Sequence, residues 1–201
     1  MPSSFLPPQE IQRVYGAIRD FKDPLPDHIY HAGYEAGQVT DDTEQTMVIA
    51  ETLLASRRAD PHRIADALLG WFERVGGSES DAVGPSSMQA LRSIASGGDL
   101  KEAGKRGDTN GAAMRISPVG IVHAGNENDI EAIVEDVYQV CLPTHGSNLA
   151  VSGASAVACS ISSALQGQSL ESIAKNAIEG AYQGSQLGFP VIGPSIPRRI
   201  E

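Results

Sequence analysis

Three short stretches of this 201-residue chain carry side chains that can do chemistry. The first is Thr40-Asp41-Asp42-Thr43, with Glu44 behind it. Adjacent carboxylates flanked by hydroxyls are hard oxygen donors, suited to Mg²⁺, Mn²⁺ or Ca²⁺ rather than to zinc. The same residues also make a good helix start. Thr and Asp are favoured N-caps, Asp41 and Glu44 have the spacing of a capping box, and acids in a first turn suit the helix dipole. Four oxygen side chains in a row exceed what one cap requires, so ligation and capping stand side by side.

The second stretch runs Gly104-Lys105-Arg106-Gly107-Asp108-Thr109-Asn110-Gly111-Ala112-Ala113-Met114-Arg115. Its glycines free the backbone to turn N–H groups toward one point, and a helix beginning at Gly111 would add its dipole, making an anion site. The plain alternative is a surface loop. It lacks the Gly-Lys-Ser/Thr ending of a Walker A loop and is not a dinucleotide fingerprint. The third stretch, Pro143-Thr144-His145-Gly146-Ser147-Asn148, places one histidine before an apolar run, where a capping or structural role is the commoner one. His28, His31, His62 and His123 show no metal-pair spacing on a helix. A serine-hydrolase elbow is absent.

The elements that must position these residues read as helices. Apolar residues recur at spacings of three and four over 9–21, 43–56, 61–74 and 86–95, then over 129–141, 148–165 and 169–187, with a short helix expected at 111–116. Residues 1–8, 22–40 and 97–110 read as loops; a loop as long as 22–40 is often functional. Sustained two-residue alternation and hairpin signals are missing, so the chain reads as all-α. The small residues of 148–165 suit a closely packed, buried helix.

At 41% hydrophobic and 20% charged residues, the composition is that of one globular domain able to bury a core. The net charge of −10 argues against nucleic acid or an anionic membrane as the main partner. A small phosphorylated ligand held by local donors remains compatible with it. Cys141 and Cys159 lie in apolar stretches and read as buried, reduced thiols. With no signal-like start and no segment of about 18 apolar residues, a cytoplasmic protein is expected.

The order of the motifs carries more than any one of them. Gly-x-Val-Thr-Asp-Asp-Thr-Glu (37–44), Gly84-Pro85-Ser86-Ser87, Thr109-Asn110-Gly111-Ala112-Ala113-Met114-Arg115 and Thr144-His145 together resemble the ADP-ribosylglycohydrolase family. That family includes the enzymes that release ADP-ribose from modified nitrogenase reductase. The resemblance covers roughly residues 9–190 and implies an all-α, orthogonal multi-helix fold with two Mg²⁺ or Mn²⁺ ions in a cleft. The implied reaction is hydrolysis of the bond joining ADP-ribose to a protein side chain or a related acceptor. The substrate would be an ADP-ribosylated protein or a small ADP-ribose conjugate.

By matching position, Thr40, Asp41 and Asp42 would be metal ligands, and Asp41 and Asp42 the catalytic carboxylates. Gly107, Asp108, Thr109, Asn110 and Gly111 would hold the diphosphate and ribose, with His145 near the distal ribose. Gly84, Pro85 and Ser86 would line the same cleft. Backbone N–H groups can satisfy a pyrophosphate, which reconciles an acidic protein with an anionic ligand.

Two family features have no counterpart. The opening Gly-Asp-Ala-Leu-Gly-like motif with its following glutamate is absent, and so is the closing Asp-x-Asp-Thr metal motif; the acids after Thr144 are Glu171, Glu179 and Glu201. The expectation is therefore a single domain over 1–201, the middle of a larger enzyme, with apolar surface left exposed. The alternatives are a second chain supplying the missing ligands, or a nucleotide pocket that has lost catalysis.

Overall fold

The computed structural model describes residues 2–80, 83–125 and 129–201; Met1, read above as part of an N-terminal loop, lies outside them. The described residues contain helices and no strand, in agreement with the all-α expectation. The chain divides into two compact units, Met1–Asp41 and Asp42–Glu201.

The first unit contains one helix, α1 (Pro8–Tyr15), which ends where Gly16 adopts φ +60°. That left-handed residue stops the helix well short of Phe21, although the apolar spacing continues. The rest of the unit is held by turns and by His28, whose Nδ1 accepts the backbone N–H groups of Tyr30 and His31 at 3.2 and 3.1 Å. Its Nε2 therefore carries the proton and donates to the Ser4 carbonyl at 2.8 Å. The His31 ring lies tilted against the His28 ring at 4.8 Å between centroids.

The second unit is built from α2 (Asp41–Ser56, its first residue being the last of the first unit), α3 (Pro61–Arg74), α4 (Pro85–Ala95), α5 (Leu100–Gly104), α6 (Ser117–Val122), α7 (Ile130–Cys141), α8 (Asn148–Leu165), α9 (Leu170–Gly184) and α10 (Ile196–Ile200). Pro61 and Pro85 occupy first turns, where their missing N–H costs nothing. The Asp60 carboxylate caps α3 by accepting from the His62 and Arg63 N–H groups, which holds its pKa below the usual value. α5 lies inside the stretch expected to be a loop, started by the Asp99 cap. Between Gly111 and Ile116 the chain makes only a 3₁₀ turn, Ala113–Arg115. The helix expected at Gly111 is therefore too short to supply a dipole. α6 and α10, which periodicity did not mark, are five or six residues long.

The core joins Ile49 of α2, Ile64, Leu68 and Trp71 of α3, Leu91 of α4, Val119 of α6, Ile133 and Val137 of α7, and Val151 and Ala154 of α8. The buried indole N–H of Trp71 donates to the Glu44 carboxylate at 2.8 Å, so no polar group is stranded there. α8 packs on α6, α7 and α9. Among the described helices it alone is long and apolar enough to cross a membrane, which corrects the expectation that no segment reaches that length. Its burial of ten residues makes it a core helix.

Both cysteines are buried, and burial pushes each thiol up to about 12, in keeping with inert thiols.

Candidate functional site

The backbone of the second unit draws three loops together. Gly146 N–H donates to the Gly104 carbonyl, Phe189 N–H to Gly146, and Asn148 N–H to Phe189, each at 2.8 Å. Ser147 and Phe189 form an isolated parallel bridge, and the Asn148 side chain accepts from Val191 N–H at 3.0 Å. Ser147 serves twice: its hydroxyl caps α8 by accepting from Ala150 N–H and donates to the Gly107 carbonyl at 2.7 Å.

Glycine is required where the loops touch. A Cβ on Gly104 would collide with the Leu142 carbonyl, and one on Gly107 with the Thr144 carbonyl. A Cβ on Gly111 would lie 2.5 Å from Cε1 of His145. No other residue allows the Gly104–Gly111 backbone to lie this close to the turn carrying His145.

His145 is buried at 1% exposure between two hydroxyls. Thr144 Oγ1 lies 2.9 Å from its Nδ1 and Thr109 Oγ1 lies 3.0 Å from its Nε2. Burial, and secondly the positive charge of Arg115, press the imidazole down to about 3, so it is neutral at physiological pH. Arg115 is itself fully buried; its guanidinium donates to the Gln45 side-chain carbonyl at 2.6 Å and to Thr144 Oγ1 at 2.7 Å.

Beside this network a cavity of about 600 Å³ is lined by Ser86, Lys105, Arg106, Gly107 and Phe189, among others. The Lys105 ammonium sits 4.5 Å above the Phe189 ring. Thr109 Oγ1 reaches toward Ser86 at 3.4 Å. Asp108 and Asn110 are exposed on the same loop.

Of the residues singled out by sequence, the structure thus brings Gly107, Thr109, Gly111 and His145 into contact, with Ser86 adjacent. Arg115 closes the quoted motif but carries no role in the sequence reading, and Gln45 is not marked there at all. A lone arginine between Ala-Ala-Met and an apolar Ile-Ser-Pro-Val run was the available sign, but only the tertiary structure pairs it with Gln45. Phe189 gave no sign in the sequence.

Thr40, Asp41 and Asp42 stand at the start of α2, the first two half-buried and Asp42 exposed. One hydroxyl and two carboxylates fit one Mg²⁺ or Mn²⁺, since Mg²⁺ commonly takes one or two carboxylates and keeps several waters. No group of three or more His, Cys, Asp or Glu among the described residues can hold a metal. By chemistry alone, the donors at 40–42 suit a hydrated ion that keeps most of its waters.

The sequence profile of the ADP-ribosylglycohydrolase family matches residues 1–196. An uncharacterised protein of Escherichia coli K12, YegU, is 31% identical over 202 residues, covering 100% of this chain and 60% of its own length. An uncharacterised protein of Archaeoglobus fulgidus is 38% identical over 161 residues, covering 80% of this chain and 49% of its own. The ADP-ribosyl-(dinitrogen reductase) glycohydrolase of Rhodospirillum rubrum is 30% identical over 96 residues, 47% of this chain and 31% of its own. Among solved structures, a chain of an "ADP-ribosylglycohydrolase-related protein complex" superposes with a TM-score of 0.62 at 25% identity. That match covers 85% of this chain and 52% of the other. The chain thus spans between 31% and 60% of the lengths of these curated relatives.

Proposed function

We propose, on the premise that the chain belongs to the ADP-ribosylglycohydrolase family, that it binds the ADP-ribosyl group and serves hydrolysis of its glycosidic bond to a protein side chain or related acceptor. One observation carries this reading. The loop 104–111 is strapped against a buried, neutral His145 beside a cavity of about 600 Å³ whose rim carries Arg106 and the Lys105–Glu102 ion pair, room for a nucleoside diphosphate with Arg106 as its cation.

In this reading Gly107, Asp108, Thr109, Asn110, Gly111 and His145 bind the ADP-ribosyl group. The exposed Thr109 hydroxyl, braced from behind by the neutral imidazole, offers a hydrogen bond to a sugar or phosphate oxygen. Thr40, Asp41 and Asp42 would hold the cation, which when bound supplies Lewis acidity and orients oxygen ligands. An Asp41 or Asp42 carboxylate takes the proton of the attacking water. The water oxygen bonds to the anomeric carbon as the glycosidic bond breaks, and the leaving nitrogen or oxygen ends protonated. The setting of such a reaction is proposed to be the cytoplasm.

The test is calorimetric titration of ADP-ribose into the chain with Mg²⁺, with Mn²⁺ and with neither, alongside release of ADP-ribose from ADP-ribosyl-arginine and a modified protein. Binding strengthened by either metal and weakened at least about tenfold (~1.4 kcal/mol) by Asp42→Ala is the expected outcome. Absence of ADP-ribose binding under all three conditions overturns it. A second reading is an ADP-ribose-binding module without catalysis, since no group of three or more His, Cys, Asp or Glu among the described residues is placed to hold a metal. Binding without release distinguishes it.

A further inference from the structure

We infer that Arg115 is a positioning residue which, through Thr144, holds His145 as its Nε2–H tautomer and thereby makes the Thr109 hydroxyl a hydrogen-bond donor toward the ligand cavity. The ligand chemistry this selects at that point is an oxygen acceptor, such as a phosphate or ribose oxygen. The ligand side of the inference rests on the function proposed above; the tautomer side does not.

The argument follows hydrogens outward from the one group whose polarity cannot change. A guanidinium has donors only. Thr144 Oγ1, 2.7 Å from an Arg115 Nη, must therefore accept. Its own hydrogen is left for the other polar partner of that hydroxyl, Nδ1 of His145 at 2.9 Å. A hydroxyl that accepts from a cation is the better donor for it. With Nδ1 accepting, a neutral ring carries its proton on Nε2, which donates to Thr109 Oγ1 at 3.0 Å. The Thr109 hydrogen is then turned away from His145, to the side where Ser86 Oγ lies at 3.4 Å. That contact is long, so a ligand oxygen can displace it, and Ser86 lines the cavity.

Reversing the chain would make Thr109 donate into His145 and present a lone pair, selecting a donor instead. The far end is anchored as firmly: the second Arg115 Nη donates to Gln45 Oε1 at 2.6 Å, and Gln45 is fully buried. Burial beside a fixed cation also keeps the ring from protonating, which would erase the polarity.

Ring ¹⁵N shifts of the histidine-labelled full chain read the tautomer directly, His145→Asn assigning the signal. The wild type is expected to show Nε2–H unchanged from pH 5 to 8. Arg115→Met, which frees Thr144 Oγ1 to accept, should admit the Nδ1–H tautomer and weaken ADP-ribose about tenfold, while Thr144→Ser in the wild-type background preserves both. An Nδ1–H ring in the wild type overturns the inference, as does a folded Arg115→Met with an unmoved tautomer. Should Arg115→Met not fold, the wild-type tautomer decides alone. An Nε2–H ring in a chain that does not bind ADP-ribose upholds the relay and overturns only the ligand reading.

Discussion

His145 links burial to pH. Its folded pKa of about 3 lies below the ordinary histidine value of 6.5, so between these values the unfolded chain binds the extra proton. The stabilisation is whole above pH 6.5 and is lost as the pH falls toward 3. The slope approaches about 1.4 kcal/mol per pH unit for the one proton. Urea unfolding at pH 7 and pH 5 should show the loss, and His145→Asn should flatten this part of the profile. Two neighbours test the packing around the ring. Gly111→Ala places a methyl against the imidazole and is expected to break its contact with Thr109, seen as altered ring ¹⁵N shifts. Ser147→Ala removes both the α8 cap and the bond to the Gly107 carbonyl; a loss of about 1–3 kcal/mol is expected in denaturant titration. The sequence marked His145 and the glycines as candidates by type. It could not mark Arg115 as their partner, because 29 residues of chain separate it from the hydroxyl it holds.

Among the elements, α8 and α9 show why small residues matter. Gly180 and Gly184 lie one turn apart on α9, and a Cβ on either would sit 2.5 Å from Cys159 Sγ or Ser155 Oγ respectively. The helices approach so closely because those positions carry no side chain. Gly184→Ala should therefore destabilise by about 1–3 kcal/mol through overpacking. Gly153 of α8 faces open space, and Gly153→Ala should stabilise by about 0.5–1 kcal/mol through helix propensity alone. Thermal and chemical denaturation of the pair checks both signs. The long helices were legible because a buried stripe repeats at 3.6 residues: 61–74 and 148–165 match α3 and α8 at both ends. α5, α6 and α10 are too short to display a period and are held by caps and contacts instead.

At the scale of the molecule, the two units differ in what holds them. The described buried hydrophobics all lie in the second unit, whereas the buried side chains of the first are His28 and His31. Hydrogen exchange should therefore be fast across residues 16–40 and slowest in α3, α7 and α8, as mass spectrometry of peptides would show. The second unit also leaves apolar surface open: Met47, Leu54, Ile121 and Val122, each more than half exposed, line a groove of about 460 Å³ between α2 and α6.

The sequence alone determined the all-α class, the long helices and the family, since periodicity and short motifs are local properties that survive reading one residue after another. It also placed the acids at the start of α2 and the glycines before Arg115. Tertiary structure decided which of these meet. It set His145 between Thr109 and Thr144, charged the interior through Arg115, and reduced the helix expected at Gly111 to one 3₁₀ turn. The physical reason is range: a cap or a stripe is settled within one or two turns of chain, whereas the polarity of a buried hydroxyl is settled by whichever distant group desolvation leaves beside it.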